Sequence, residues 1–271
     1  MPDRPFIDSL RTDGYVILPA VFNASEIDAL TVDLAAALAQ PAHDAESIRD
    51  RAGNVYGGRN LLALCAAVRE IWRRPSLTDL LAETLGPNCG LVRALFFDKP
   101  PERTWSLPWH KDLTIAVRDN RRPSSHFTKP TIKAGVPHVE APRDILENML
   151  TLRIHLDAVT DENGPLQVIA GSHRDGLDSE ASATDSSIRT MIVERGDVLA
   201  LRPLLTHNSL TSRPGTHRHR RILHLEFAAS PVLRDEYEWQ NYFPLDAARK
   251  SVALPSNSTK KAESAGLGFE R

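Results

Sequence analysis

Apolar positions along the chain fall into two regimes. Up to about residue 86 they recur mostly at helical spacing; from about residue 91 to residue 227 they come as short runs punctuated by Gly, Pro, Asn and Asp. In the first regime, residues 6–12 read as a short helical lead and Tyr15-Val16-Ile17-Leu18 as a strand. Asn23 is placed to cap a helix, with Glu26 three residues on to reach back to the free N–H groups. Ile27, Leu30, Leu34 and Leu38 then share one face and carry this helix to about Ala39. Residues 41–58 read as a loop. Leu61 to Trp72 predicts a second helix, and Ser76 with Asp79 caps a third that Gly86 ends.

In the second regime, Leu91 to Phe97 reads as a strand that Pro100-Pro101 breaks, and Met149 to Leu156 as a strand with Thr151, Arg153 and His155 on one face. Asp161 to Pro165 is a turn, Leu166 to Ile169 a strand, and Gly171-Ser172-His173 closes it. Residues 174–187 read as a surface loop. Gly196-Asp197 is a turn before the strand Val198 to Leu201, and Arg220 to Phe227 forms the last strong strand. Residues 113–147 read as a long insertion without regular structure. It carries Arg118, Arg121, Arg122, Lys129 and Lys133 against only Asp119 before residue 139. Such an insertion is either a basic lid facing an anionic substrate or a solvated surface loop. The expected fold is mainly β with flanking N-terminal helices, a sandwich or jelly roll, as a single domain over residues 1–250. Residues 251–271, rich in Ser, Lys and Ala, are expected to be a loosely ordered tail.

Composition narrows the function without naming it. The formal net charge of −2 gives no global field toward nucleic acid or membranes. No apolar run reaches the length of a membrane span, and the first residues lack the apolar core of a signal peptide. Cys65 and Cys89 lie in apolar surroundings, with no zinc or disulfide spacing. A cytoplasmic enzyme or binding protein is the expectation. Gly-rich phosphate loops and the Gly-x-Ser-x-Gly nucleophile elbow do not occur.

The stretch that carries chemistry is Trp109-His110-Lys111-Asp112. On an extended chain, residues two apart face the same side, so His110 and Asp112 would offer an imidazole and a carboxylate together, with Lys111 turned away. A second histidine would complete a 2-His-1-carboxylate facial triad, which holds Fe(II) on one face and leaves the other open.

Several segments then agree in one order: Asp13-Gly14-Tyr15-Val16, the His110 stretch, Asn163-Gly164-Pro165-Leu166, Gly171-Ser172-His173-Arg174, Gly196-Asp197-Val198, His207 and Arg220-Arg221. Over roughly residues 8–230 the chain resembles the phytanoyl-CoA dioxygenase family of Fe(II)/2-oxoglutarate-dependent oxygenases. The resemblance implies a double-stranded β-helix, a cupin-like jelly roll with the metal between its sheets. It implies His110, Asp112 and His207 (in His207-Asn208-Ser209) as ligands of Fe(2+), with 2-oxoglutarate and O2 as co-substrates. An arginine on the last strand would bind the distal carboxylate of 2-oxoglutarate; Arg220 matches best, with Arg218 and Arg221 as alternatives. The implied activity is oxidation of a small-molecule substrate with release of succinate and CO2; the alternative is a non-catalytic jelly-roll homologue that binds a ligand. Asp112 stands where related halogenases have a small residue, which speaks against halogenation.

The remaining candidates carry two readings each. Arg93 reaches the co-substrate or makes a surface ion pair, and Arg153 is similar. His155 and His224 line the pocket or sit hydrogen-bonded in the core. Trp109 packs or touches substrate. His173 is structural, His217 and His219 are exposed, and neither His126 nor His138 is expected to be a ligand.

Overall fold

The helical regime forms because its apolar faces have a sheet to cover. In the computed structural model, which describes residues 4–177 and 187–245, the first elements are α1 (Arg4–Thr12), β1 (Tyr15–Leu18) and α2 (Ala24–Ala39). α2 opens with the expected reciprocal cap: Asn23 Oδ1 accepts from Glu26 N at 3.0 Å, and Glu26 Oε2 accepts from Asn23 N at 2.9 Å. A hairpin of β2 (Ser47–Arg49) and β3 (Val55–Gly58) follows where a loop was expected. The helix expected over 61–72 is broken into α3 (Leu61–Leu64) and α4 (Ala66–Glu70), because Cys65 between them is extended at φ −130°. α5 (Pro75–Leu85) is not capped by Ser76. Pro75 occupies its first turn, where a missing N–H costs nothing, and Arg74 precedes it.

The β regime comprises β4 (Gly90–Lys99), β5 (Leu107–His110), β6 (Thr114–Ala116), β7 (Thr128–Lys133) and β8 (Val136–Glu140). After the short α6 (Arg143–Glu147) come β9 (Met149–His155), β10 (Leu166–Ile169), β11 (Ile188–Thr190), β12 (Val198–Leu201), β13 (His207–Ser209), β14 (Arg220–Ala228) and β15 (Phe243–Pro244). A large antiparallel sheet runs β1-β12-β9-β14-β4-β3-β2, with β15 on β4; a smaller one runs β11-β10-β13-β5. The two face each other as a jelly roll. The insertion over 113–147 is not irregular: β6, β8 and β7 make a third sheet. Ile115, Val117, Phe127 and Val139 pack there against Tyr237 and Trp239 in a core of their own.

Alternation along the strands divides the large sheet. Leu152, Ile154, Leu223, Leu225 and Phe96 face outward onto α2–α5, where Trp72 meets Phe227 edge-on at 5.1 Å. Each such fully buried side chain contributes ~1.5–3 kcal/mol relative to exposure. The opposite face looks toward the small sheet. One half of that space is filled by Leu166, Val168, Leu199, Leu201 and Leu205; the other half is a polar cavity. No helix of the described residues is long and apolar enough to cross a membrane. Residues 251–271 and part of the 174–187 loop lie outside the described residues.

Candidate metal centre

His110, Asp112 and His207 meet at one end of this cavity, with one potential ligand atom from each lying within 4.8 Å of the others. The local reason differs from the expectation. β5 ends at His110, so Asp112 is not on the strand; its N–H donates instead to Pro203 O at 3.0 Å, which turns the carboxylate back toward the histidines. His207 enters because β13 pairs with β5 in a register that sets it opposite His110, ring centroids 4.3 Å apart. Asp112 Oδ2 lies 3.7 Å from His207 Nε2.

Each histidine is oriented through its other nitrogen. Nδ1 of His110 lies 2.7 Å from Pro108 O, and Nδ1 of His207 lies 2.9 Å from Leu205 O. Carbonyls accept only, so Nδ1 carries the proton in both rings and Nε2 is the nitrogen each presents to a metal. Burial pushes His207 down to about 4, against the attraction of Asp112, so the ring is neutral near pH 7. Burial alone would raise Asp112, but His207, His224, His110 and Arg153 outweigh it and hold the carboxyl below its ordinary range. Two imidazole nitrogens and an ionised carboxylate form a donor set suited to Fe(II).

A strut ties the ligand segments together. Lys111, between the first two ligands, buries its ammonium and donates to Ser172 O at 2.9 Å and Gly176 O at 2.8 Å. Ser172 Oγ in turn accepts from the N–H of Thr206, next to His207, at 2.8 Å. The Gly171-Ser172-His173 segment thus acts on the site through backbone and hydroxyl rather than through its histidine.

The cavity, about 360 Å3, extends from the triad in two directions along β4 and β14. At one end Arg220 lines the cavity; Lys99, opposite it on the paired strand, lies outside the lining, and the two are 4% and 0% exposed. Arg220 Nη1 donates to Gly164 O at 2.6 Å and Ser209 Oγ at 3.2 Å; Lys99 Nζ donates to Ser209 Oγ at 3.0 Å and Leu210 O at 2.6 Å. Arg153, beside them on β9, is also buried. The Nε atoms of Arg220 and Arg153 have no hydrogen-bond partner, and no carboxylate among the described residues makes an ion pair with any of the three cations. Burial and the neighbouring arginines push Lys99 down to about 6, and burial with Arg153 pushes Arg220 to about 9, where a guanidinium is still charged at neutral pH. Arg220 and Arg153, charged and buried without a counter-ion, suit an anionic ligand, whose charge would also favour the protonated form of Lys99. Arg221 faces away and pairs with Asp157 at 2.7 Å, and Arg218 pairs with Glu162 at 3.4 Å, so Arg220 alone of the three lines the cavity.

Arg93 lies at the other end. Its Nη1 is held by Glu226 Oε1 at 3.2 Å and Thr114 O at 3.1 Å, and Glu226 also meets His224 Nε2 at 3.2 Å. Arg93 and Lys99 are six positions apart on β4, ~20 Å along a strand. His224 lines the cavity, whereas His155 is buried with its pKa pushed down to about 3 by desolvation, Arg153 and Arg220. His126, near Asp235, and His219, near Asp98, lie away from the triad. Sequence reasoning missed Lys99, because the expected strand ended at Phe97; the parity 93, 95, 97, 99 would have found it. Glu226 and Arg59, which line the cavity, carry no local motif; Ser209, in the His-x-Ser segment, and Lys133, in the basic insertion, line it too but were given no role of their own.

The pattern of the phytanoyl-CoA dioxygenase family matches residues 10–222. Ectoine dioxygenase of Sphingopyxis alaskensis is 25% identical over 214 residues, covering 75% of this chain and 63% of the relative, so the chain spans under two thirds of that protein. A crystal structure of the Sphingopyxis alaskensis EctD with 2-oxoglutarate and 5-hydroxyectoine superposes with TM-score 0.62 at 20% identity, over 84% of this chain and 76% of that one. The carbocyclase SnoK from nogalamycin biosynthesis, a non-haem α-ketoglutarate-dependent protein, gives TM-score 0.60 at 16% identity, over 96% and 94%. At these identities the structural likeness speaks for the fold.

Proposed function

The chain belongs to the phytanoyl-CoA dioxygenase family, and from that premise we propose that it is a non-haem Fe(II)/2-oxoglutarate-dependent oxygenase of a small-molecule substrate. The observation that carries the reading is the juxtaposition of His110, Asp112 and His207 with the buried guanidiniums of Arg220 and Arg153, which lack a counter-ion, in the same cavity. His110 Nε2, His207 Nε2 and an Asp112 oxygen would hold the metal. Bound Fe(II) supplies activation of O2 coupled to conversion of 2-oxoglutarate into succinate and CO2.

The remaining roles belong to the chain's own residues. Arg220 and Lys99 grip the distal carboxylate of 2-oxoglutarate, with Ser209 Oγ fixing both donors, and this orients the keto acid toward the triad. Arg153 adds charge from the neighbouring strand. Of the two parts the sequence allowed Arg93, it makes the ion pair, although a buried one rather than one at the surface. Already held by Glu226 at the far end of β4, it belongs to the wall against which substrate lies, not to the co-substrate subsite. The apolar filling of Leu95, Phe97 and Leu166 limits water beside the reacting atoms.

Anaerobic titration of the apo protein with Fe(II) and 2-oxoglutarate tests the reading. The expected result is a weak visible band near ~500 nm, as for a keto acid chelated to iron, that is absent in Asp112→Ala and His207→Ala. Iron binding without the band would remove 2-oxoglutarate from the account. Failure to bind iron at all would leave a non-catalytic ligand-binding homologue.

A further inference from the structure

We propose that Arg59 and Lys133 form a carboxylate-binding subsite at the substrate end of the cavity, so that the molecule oxidised is a small organic acid anchored by its carboxylate. The inference rests on the oxygenase reading and deepens it by naming the substrate class.

Both side chains line the cavity, and both are half-buried. Neither makes an ion pair or a side-chain hydrogen bond with another described residue, and this sets them apart from the other cations of their region. Arg118 pairs with Glu238, Arg121 with Asp119, Arg122 with Glu236 and Lys129 with Glu140. The basic character of the 113–147 segment is thus cancelled locally everywhere except at Lys133, the one cation of that set that lines the cavity. The same contrast holds inside the cavity. Arg93 and Glu226, with side chains 12% and 9% exposed, neutralise each other. Arg59 and Lys133 are therefore the unpaired charges of this end, with Asp112 the nearest further carboxylate and committed to the metal site.

The two cations come from segments remote in sequence, and the fold joins them. Arg59 follows β3, whose Gly57 and Gly58 pair with Phe97 and Phe96 of β4; Lys133 ends β7, before the turn into β8. The next residues on each side hold the corners together: Asn60 Nδ2 donates to Ala134 O at 3.0 Å. Asn60 sits at φ 54° and Ala134 at φ 49°, left-handed conformations that asparagine tolerates better than most residues. A clamp built from two such residues places a guanidinium and an ammonium at one rim. Burial, then like charge, lowers the pKa of each, with Arg93 repelling both and Arg59 also repelling Lys133, and the pull of Glu226 and Asp112 on Lys133 only partly offsets this. A bound carboxylate relieves that repulsion. Both cations adjoin Arg93, six positions along β4 from Lys99, so the site is apart from the subsite assigned to the distal carboxylate of 2-oxoglutarate.

The test uses ligand-detected NMR on zinc-loaded protein saturated with 2-oxoglutarate. The probes are hexanoate, 4-phenylbutyrate and N-acetyl-leucine, each beside its primary amide. The acids are expected to bind at millimolar concentration, at least about tenfold tighter than the amides. Arg59→Gln and Lys133→Gln should each weaken the acids about tenfold, ~1.4 kcal/mol, and leave the amides unchanged, while Lys133→Arg retains the preference. All three variants should keep the Fe(II)/2-oxoglutarate band, which shows that fold and co-substrate subsite are intact. Equal binding of acid and amide, no binding of any acid, or a preference that survives Arg59→Gln/Lys133→Gln would overturn the inference with the oxygenase reading still standing. Loss of the band from the wild-type protein would instead count against that reading.

Discussion

Lys99→Met separates what the buried cation does for co-substrate binding from what it costs the fold. Lys99 is fully buried, and burial with Arg220 and Arg153 lowers its pKa from 10.5 to about 6. In the unfolded chain the amine titrates near its ordinary value. Between pH 10.5 and 6 the unfolded state therefore binds a proton that the folded, ligand-free state does not, and stability falls as pH falls, by ~1.4 kcal/mol per pH unit. At pH 7 the interval is ~3.5 units, a penalty of at most ~5 kcal/mol; below pH 6 it levels off at ~6 kcal/mol. Methionine removes this penalty but orphans Leu210 O, which costs ~1–3 kcal/mol, while Ser209 Oγ keeps Arg220. The ligand-free variant should be more stable than wild type at pH 7 by ~2–4 kcal/mol, with Tm higher by ~4–16 °C. The difference should shrink as pH rises toward 10. Its affinity for 2-oxoglutarate, followed by the visible band, should fall at least about tenfold, ~1.4 kcal/mol. Thermal unfolding from pH 6 to 10 is the assay. A variant less stable than wild type at pH 7, or a difference that does not vary with pH, would refute the electrostatic account of this end of the cavity.

Other perturbations test separate links. Arg220→Gln should abolish the band while iron still binds, whereas Arg221→Gln, which breaks only the pair with Asp157, should leave it; the same titration reads both. Lys111→Met leaves Ser172 O and Gly176 O short of a buried donor at ~1–3 kcal/mol each, so Tm and iron affinity should fall together in calorimetry and metal titration. Gly196→Ala should cost more than ~2 kcal/mol, because at φ 88° its Cβ would lie 2.2 Å from Phe22 O; a Tm within a degree or so of wild type would contradict this.

The sequence made the sandwich legible wherever one face of an element is apolar. α2, β1, β9, β12 and β14 appear within a residue or two of their expected bounds for that reason. β7 was hidden because Thr128 to Ile132 are exposed on both faces and Pro130 interrupts them, so no alternation survives. The basic insertion misled because its counter-ions Glu236 and Glu238 lie a hundred residues on, where no local count finds them. His110 and Asp112 came together as expected although Asp112 has left the strand; tertiary pairing with Pro203 achieved what strand parity was expected to do. Arg59 carried no signal, since its meaning depends on Lys133 standing across a junction between two sheets.

The strut from Lys111 through Ser172 to Thr206 bears on when this protein acquires its centre during folding. Its bonds join residues 61, 65 and 34 positions apart, and the β5–β13 pairing that sets His207 opposite His110 closes a loop of nearly a hundred residues. Loop-closure entropy makes such long-range pairings late and slow. A nascent chain can offer the His110-Asp112 pair early, but the complete set of donors exists only after both sheets have closed. Metal uptake is then a report on completed topology. A cation bound to all three donors would hold the two sheets shut and slow their reopening, which couples the lifetime of the native state to iron supply.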